Sequence, residues 1–200
     1  MKRILLIDNY DSFTYNVLHL LNKVFNNSVD IVKNDYLEFE TIDIYSHIVI
    51  SPGPGIPSEA GSILKVIDLC KKSHSILGIC LGHQAIAEYF GAKLINLSTP
   101  LHGHKSTLFV NAEDPILGPL TNNNSSNNKL HTGLYHSWAI DKPTIPSELE
   151  VGSRSESGIV MSIYHKSLSI YGMQFHPESI ITERGNEIIA SWGKYSGLIS

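Results

Sequence analysis

The sequence predicts an α/β fold in which a mainly parallel central sheet is flanked by helices, with a smaller antiparallel sheet in the C-terminal half. Through residues 1–95, strand-sized apolar segments alternate with amphipathic segments over short links, which is typical of a parallel sheet with right-handed crossovers. From residue 107 onward, short strand-like segments follow one another, which favours antiparallel or mixed pairing.

The first half contains four predicted strands and three predicted helices. The strands lie at 4–7, 29–32, 47–50 and 75–79, and the first is an uninterrupted apolar run of the kind that is buried on both faces of a parallel sheet. The first helix follows Asp11 and Ser12, whose side chains can cap it. The second begins at Ser58, and the third covers 82–90 and is closed by Gly91.

The second half contains five predicted strands and one closing helix. The strands are 107–111, 132–135, 150–153, 158–164 and 169–174, and the helix begins near Thr182. The segment 122–128 is an Asn-rich run without apolar residues, so we expect a mobile surface loop there. No repeat or linker interrupts the chain, and we expect residues 1–200 to form a single domain.

Composition limits the classes of function that the chain can have. Its formal charge of −4, without a basic tract, argues against a nucleic acid partner. The apolar runs are far shorter than the ~20 residues of a membrane helix, and the N-terminus has no signal-length apolar region. Two cysteines cannot form a disulfide framework. We therefore expect a protein of the cytoplasm, or of an organelle stroma if the gene is plastid-encoded.

A cysteine flanked by glycines lies between a predicted strand and a predicted helix. The pentapeptide 78–82, Gly-Ile-Cys-Leu-Gly, matches the tight turn that pushes a nucleophile out of a sheet. Cys80 would lie at a helix N-terminus, which favours the thiolate, and the Leu81 N–H could bind an oxyanion. The alternative is a buried structural cysteine, which is our interpretation of Cys70 on the apolar stripe of its helix.

A possible base and its orienting acid follow the last predicted strand. His176 and Glu178 are separated by Pro177, which disfavours helix at the histidine. Residues two apart in an extended chain lie on the same side, so the two side chains can form a Cys-His-Glu set with Cys80. The alternative is a solvated surface turn.

A loop rich in proline and glycine follows the third predicted strand. In 51–55, Ser-Pro-Gly-Pro-Gly, the glycines let backbone N–H groups approach a ligand and the prolines stiffen the loop. The loop lacks the spacing of a dinucleotide site or a P-loop, so it fits a substrate clamp or a second oxyanion donor better, with a plain rigid turn as the alternative.

The remaining histidines do not predict a metal site. His102 and His104 are two residues apart, and His131 and His136 flank a predicted strand. No cysteine or acidic residue completes a ligand set around either pair, so we predict no metal.

Four segments in this order resemble the class I (triad) glutamine amidotransferases, and the resemblance covers nearly the whole chain. They are 7–16 (Ile-Asp-Asn-Tyr-Asp-Ser-Phe-Thr-Tyr-Asn), 51–55, 78–84 (Gly-Ile-Cys-Leu-Gly-His-Gln) and 174–179 (Gln-Phe-His-Pro-Glu-Ser). The first two are similar to the forms found in the narrower set that feeds ammonia to chorismate-aminating synthases. That set comprises anthranilate synthase component II and the glutaminase subunit of aminodeoxychorismate synthase.

The resemblance implies a class I glutamine amidotransferase-like fold and hydrolysis of L-glutamine through a thioester on Cys80, with His176 and Glu178 completing the catalytic set. The oxyanion would be held by the N–H groups of Leu81 and Gly53. The residues expected to line the glutamine pocket are Gly53, Pro54, Gly55, Gln84, Ser137 and Trp138. Ammonia would pass to a chorismate-binding synthase subunit, in a heterodimer or heterotetramer. That partner would hold Mg²⁺, so no cofactor is expected on this chain.

The resemblance leaves the branch of metabolism open. We expect anthranilate synthase and tryptophan biosynthesis, with aminodeoxychorismate synthase and folate biosynthesis, or service to both, as the alternative. A free-standing cysteine hydrolase and a binding subunit with an inactive site are two further alternatives.

Two segments depart from the family pattern. Relatives usually show His-Gly-Lys-x-Ser where this chain has His-Gly-His-Lys-Ser at 102–106, a segment expected near the synthase. The Asn-rich run 122–128 replaces a shorter turn.

Overall fold

Nine strands form one mixed sheet in the computed structural model, which describes residues 2–26, 29–121 and 129–200. In order across the sheet they are β2-β1-β3-β4-β9-β8-β7-β5-β6. Their bounds are β1 Ile4–Asp8, β2 Val29–Lys33, β3 His47–Ile50, β4 Ser75–Ile79, β5 Leu94–Val110, β6 Lys129–Ile140, β7 Leu149–Ser155, β8 Val160–His165 and β9 Ile170–Met173. The α-helices are α1 Thr14–Phe25, α2 Ile63–Cys70, α3 Leu81–Tyr89, α4 Gly118–Thr121 and α5 Gly185–Tyr195. Short 3-10 turns cover Phe39–Ile44, Pro57–Glu59 and Lys142–Thr144.

The parallel half of the sheet confirms the α/β prediction. Strands β2, β1, β3, β4 and β9 pair in parallel, so their carboxyl ends meet at one edge. The antiparallel strands extend this same sheet instead of forming a second one. Strand β9 joins the two halves, since it pairs in parallel with β4 on one side and antiparallel with β8 on the other.

Strands β1, β3 and β4 are buried on both faces, as the apolar run at 4–7 predicts for β1, whereas the edge strand β2 is only partly buried. On one face, Leu6, Val49 and Leu77 belong to a core that includes Trp192 of α5. On the other face, Ile48 belongs to a core formed with α2 and α3. The carboxyl edge of the sheet is therefore built on a rigid support.

Two predicted helix starts in the first half are wrong. Helix α1 begins at Thr14 with Phe13 at the cap position, and the Asp11 Oδ1 atom accepts a hydrogen bond from the Phe13 N–H at 2.7 Å instead of capping the helix itself. Helix α2 begins at Ile63 and not at Ser58, because the left-handed backbone of Gly61 (φ 57°) separates it from the preceding 3-10 turn.

The second half also departs from its predicted boundaries. Helix α5 begins at Gly185, three residues after Thr182, because Arg184 adopts a left-handed conformation. Strands β5 and β6 are much longer than predicted, and they form a hairpin whose register shifts at bulges. The Asn-rich run 122–128 lies outside the described residues. In the part of the chain that the structure describes, no helix combines the length and apolar character needed to cross a membrane.

Candidate active site

The turn between β4 and α3 places Cys80 at the carboxyl edge of the sheet in a strained conformation. Its φ of 53° and ψ of −100° lie outside the regions that side-chain-bearing residues favour, at a cost of ~1–3 kcal/mol. The flanking glycines make the turn possible, because a Cβ on Gly78 would lie 2.3 Å from the Gly82 carbonyl oxygen. A Cβ on Gly82 would lie 2.4 Å from the Ile50 carbonyl oxygen. The sequence predicted this geometry from the glycine spacing.

The imidazole of His176 and the carboxylate of Glu178 form a buried pair beside this turn. The His176 Nδ1 atom lies 2.6 Å from Glu178 Oε1, and both side chains are almost fully buried. The backbone fixes the histidine from two sides: its N–H donates to the Gly133 carbonyl at 3.2 Å, and its carbonyl accepts from the Thr182 hydroxyl. The pair is therefore not the solvated turn that was the alternative.

The electrostatics of the site favour a charged imidazole. Burial by itself would lower the pKa of His176, but its interaction with the Cys80 sulfur, followed by hydrogen bonding and charge attraction from Glu178, holds this pKa well above its ordinary value. Among the described residues, the His176 Nε2 atom has no hydrogen-bond partner of good geometry. Its interaction with the sulfur is thus electrostatic, and a substrate atom placed beside Cys80 could take up the Nε2–H donor.

Two aromatic rings hold the imidazole in place. Phe13 packs edge-on against His176 with ring centroids 5.6 Å apart, and Tyr135 does the same at 5.0 Å. The Tyr135 hydroxyl lies 3.1 Å from the Ser179 hydroxyl, which ties the ring to the segment after Glu178. Edge-to-face contacts of this kind restrict the rotation of the base.

Cys80 and His176 face one cavity of about 390 Å³. Its lining includes every residue predicted to bind glutamine, namely Gly53, Pro54, Gly55, Gln84, Ser137 and Trp138. Leu81 and Glu178 are not part of the lining. The lining also includes Asp11, Ser12, Phe13 and His102, to which the sequence analysis gave no place in the glutamine pocket. The first three belong to the segment 7–16, whose family resemblance was the only available signal.

Two backbone N–H groups are available for an oxyanion. Leu81 opens α3, and the N–H groups of the first helical turn have no intrahelical acceptor. The N–H of Gly53 donates no hydrogen bond within the described residues. The loop and the turn are in close contact, because a Cβ on Gly53 would lie 2.5 Å from Leu81 Cδ2 and 2.6 Å from Asn9 Cβ.

The segment after β1 holds this loop. The Asn9 backbone N–H donates to the Ser51 hydroxyl at 3.0 Å, and its side-chain amide donates to the Ser51 carbonyl at 2.8 Å. Asn34 in turn donates to the Asn9 side-chain oxygen at 3.0 Å. Sequence reasoning did not assign Asn9 this supporting function, because the residues that it joins are 42 positions apart.

The remaining histidines differ in their relation to the cavity. His83 is fully buried outside the lining, and burial lowers its pKa to about 3. His136 lies in the lining and donates from Nδ1 to the Trp138 carbonyl at 2.8 Å, with its pKa lowered by burial to about 4. Both rings are therefore neutral near pH 7. Over residues 2–26, 29–121 and 129–200, no group of three or more potential ligands could hold a metal.

The segment that departs from the family pattern forms an irregularity at the cavity. A bulge separates His102 from His104, with Gly103 in a left-handed conformation (φ 70°). His102 lines the cavity, whereas His104 does not, and Lys105 forms an ion pair with Glu183 at 3.0 Å. The departure from the family pattern at His104 thus lies outside the cavity lining.

The arrangement is suited to acyl transfer. It combines a thiol on a strained turn, a buried imidazole with a high pKa oriented by a carboxylate, and two N–H groups beside the sulfur. Such a set can attack an amide carbon, stabilise the oxyanion and protonate the departing nitrogen.

Comparisons with known proteins agree with this chemistry. The family model for "Glutamine amidotransferase class-I" matches residues 5–194. The chain is 39% identical to a putative anthranilate synthase component II of Haemophilus influenzae, over 95% of both chains. It is 42% identical to aminodeoxychorismate synthase component 2 of Klebsiella aerogenes, over 94% of this chain and 98% of the other. Among solved structures, a putative GMP synthase subunit from Thermoplasma acidophilum superposes with a TM-score of 0.82 at 27% identity, covering 99% of this chain and 95% of the other.

Proposed function

The chain belongs to the class I glutamine amidotransferase family, and we propose that within this family it is the glutaminase subunit of a chorismate-aminating synthase. The partner that we propose first is the synthase subunit of anthranilate synthase, in tryptophan biosynthesis. The observation that carries the proposal is the meeting of Cys80 with the His176–Glu178 pair at one cavity. The similarity to anthranilate synthase component II over nearly the full chain supports it.

In the proposed reaction, the Cys80 thiolate attacks the side-chain amide carbon of L-glutamine. The N–H groups of Leu81 and Gly53 hold the oxyanion that forms. The imidazolium of His176, oriented by Glu178, then donates its proton to the departing nitrogen, which leaves as ammonia while the γ-glutamyl thioester remains.

Water completes the cycle. It attacks the thioester carbon while His176 accepts its proton, and the Cys80 sulfur leaves, so the products are glutamate and the free enzyme. The raised pKa of His176 suits the first step, in which this residue must be protonated.

The glutamine would occupy the cavity between the loop 51–55 and strand β6. Gly53, Pro54 and Gly55 of the loop line it together with Ser137 and Trp138 of β6 and Gln84 of α3. The polar atoms of the backbone and of these side chains provide the few oriented contacts that fix a small ligand in a cavity of this size.

The ammonia acceptor would be chorismate on the separate synthase subunit. We propose that this partner also holds Mg²⁺ and that this chain carries no cofactor. The complex would be a heterodimer or a heterotetramer in the cytoplasm. The similarity to an aminodeoxychorismate synthase component 2 supports a second candidate partner, the synthase that leads to para-aminobenzoate.

The product formed with each partner distinguishes the two branches. The purified chain is mixed with each synthase subunit, chorismate, Mg²⁺ and glutamine, and the aminated product is identified by chromatography. Glutamine-dependent ortho-aminobenzoate supports the anthranilate branch, aminodeoxychorismate supports the alternative, and both products indicate that one glutaminase serves both synthases.

The Cys80→Ser variant tests the proposed division of labour. It should abolish glutamine-dependent synthesis and leave synthesis from free ammonia unchanged, because ammonia bypasses the thioester. Equal loss of both activities would exclude a pure ammonia donor. Glutamate release at an equal rate without any synthase would favour a free-standing hydrolase.

A further inference from the structure

A chain of side-chain amides connects the wall of the cavity to the nucleophile. Gln174 directly follows β9, is fully buried, and directs its Nε2 atom at the sulfur of Cys80 from 3.6 Å. Its Oε1 atom accepts from Gln84 Nε2 at 3.1 Å, and the same Gln84 nitrogen donates to the Trp138 carbonyl at 2.9 Å.

The Trp138 carbonyl fixes which way the two side-chain amides, those of Gln84 and Gln174, are turned. A carbonyl can only accept, so the Gln84 side chain must turn its NH₂ group toward it. The second proton of this group then points to Gln174, which must present its oxygen there. The NH₂ group of Gln174 is consequently left facing the sulfur, and the opposite orientation would place two donors or two acceptors against each other.

A donor facing Cys80 acts differently on the two states of the sulfur. A thiolate is a charged acceptor, and hydrogen bonds to charged groups are about twice as strong as those between neutral groups. A thiol is a weak acceptor and gains little. Because the Gln174 amide is buried, it does not exchange this contact for water. The contact therefore favours the thiolate, the form that attacks glutamine.

We propose that Gln174 is a further catalytic residue, which donates a hydrogen bond to the Cys80 thiolate, and that Gln84 is a positioning residue, which sets the direction of that donor. This inference rests on the proposed function of Cys80 as the nucleophile. It also gives Gln84 a structural role beyond lining the glutamine pocket, since its amide nitrogen already donates hydrogen bonds to the Trp138 carbonyl and to Gln174 Oε1.

The test measures the rate at which iodoacetamide alkylates Cys80 in the full chain, as a function of pH and without glutamine. The modified peptide is quantified by mass spectrometry, which separates Cys80 from Cys70. The second cysteine is fully buried, and its pKa is raised to about 11 by burial and, to a smaller degree, by Asp43, so it reacts slowly below pH 9.

The Gln174→Met variant keeps the size of the side chain and removes the donor. We expect its alkylation rate at pH 7 to fall about tenfold and the midpoint of the profile to move to higher pH. In the complex with the synthase, kcat for glutamine should fall in parallel, with KM within about twofold of the wild type. Gln84→Met should give a smaller shift of the same sign, because Gln174 remains but can turn.

Ser137→Ala is the matched control, because Ser137 lines the same cavity without a hydrogen bond to Cys80. It should raise KM and leave the alkylation profile unchanged. A folded Gln174→Met variant whose profile superposes on that of the wild type would overturn the proposal.

If Gln174→Met does not fold, Gln174→Glu provides the second test. Its carboxylate keeps an acceptor for Gln84 but places a negative charge beside the sulfur, so the midpoint should move to higher pH, and an unchanged midpoint would overturn the proposal. Retained glutaminase activity in Cys80→Ser would instead refute the proposed function. An inactive Cys80→Ser combined with an unchanged profile in the Gln174 variants would refute this inference alone.

Discussion

The strain at Cys80 predicts an unusual order of stability between two inactive variants. Cys80→Gly and Cys80→Ala both remove the sulfur and differ only by one Cβ atom. In most backbone conformations alanine is the more stable of the two, because glycine loses more conformational freedom on folding. At φ 53° and ψ −100° we expect the reverse, since this conformation is readily accessible to glycine only.

Three contributions determine the size of the difference. Relief of the backbone strain favours glycine by an amount in the upper half of the range of ~1–3 kcal/mol. The greater freedom of glycine in the unfolded chain opposes this by ~0.4–1 kcal/mol. The loss of one buried carbon, at a residue that is only 5% exposed, opposes it by roughly 0.8 kcal/mol. The net expectation is that Cys80→Gly is more stable than Cys80→Ala by about 1 kcal/mol.

Urea unfolding monitored by circular dichroism measures this difference, and thermal unfolding should show a Tm higher by roughly 2–4 °C for a chain of this size. Ala85→Gly, in the middle of α3, is the control and should be destabilising by about 1 kcal/mol or more. A Cys80→Ala variant at least as stable as Cys80→Gly would refute the reasoning that the turn stores strain.

Three further predictions concern the base and the glycines of the turn. Glu178→Gln should lower kcat roughly a hundredfold with little change in KM, because orientation of His176 matters most in the transition state; a raised KM at unchanged kcat would contradict it. The pKa of His176 is raised in the folded protein, so the stabilisation linked to its proton is fully present below about pH 6.5 and is lost as pH rises through the folded pKa. Urea unfolding should therefore show Glu178→Gln to be more destabilising at pH 6 than at alkaline pH. Gly82→Ala should cost ~1–3 kcal/mol and most of kcat, because its Cβ would meet the Ile50 carbonyl. A Cβ on Gly91 would meet no atom within 4 Å, but φ is 102°, so Gly91→Ala should lower the free energy of unfolding by ~1 kcal/mol and retain activity. If unfolding and glutaminase assays showed Gly91→Ala to be more damaging than Gly82→Ala, close packing of Gly82 would not explain its role.

The inner strands of the parallel half could be predicted from the sequence because burial on both faces leaves mainly apolar segments. Strand β1 was predicted at 4–7 and observed at Ile4–Asp8, while β3 and β4 were predicted at their observed bounds. Helix starts were less predictable. Asp11 has the side chain of a capping residue, yet Phe13 occupies the cap position of α1 and packs on His176. Tertiary contacts of this kind override local preference.

The proposed reacting groups were identifiable in the sequence because each is specified by its neighbours along the chain. Glycines at 78 and 82 define the turn that places Cys80 at the cavity, and a spacing of two residues brings Glu178 to His176. These are local constraints of sterics and backbone geometry, so a short segment contains all the information that they need.

The environment of those groups was decided only by the tertiary structure. The hydrogen bond from Gln174 to Cys80 joins residues 94 positions apart, and Gln84 reaches the Trp138 carbonyl across 54 positions. Whether a buried amide points its NH₂ or its oxygen at the sulfur depends on which acceptor lies at the far end of the chain of amides. The sequence by itself determined which residues are candidates to react, whereas the meeting of distant strands at one edge of the sheet decided which polar groups surround the sulfur.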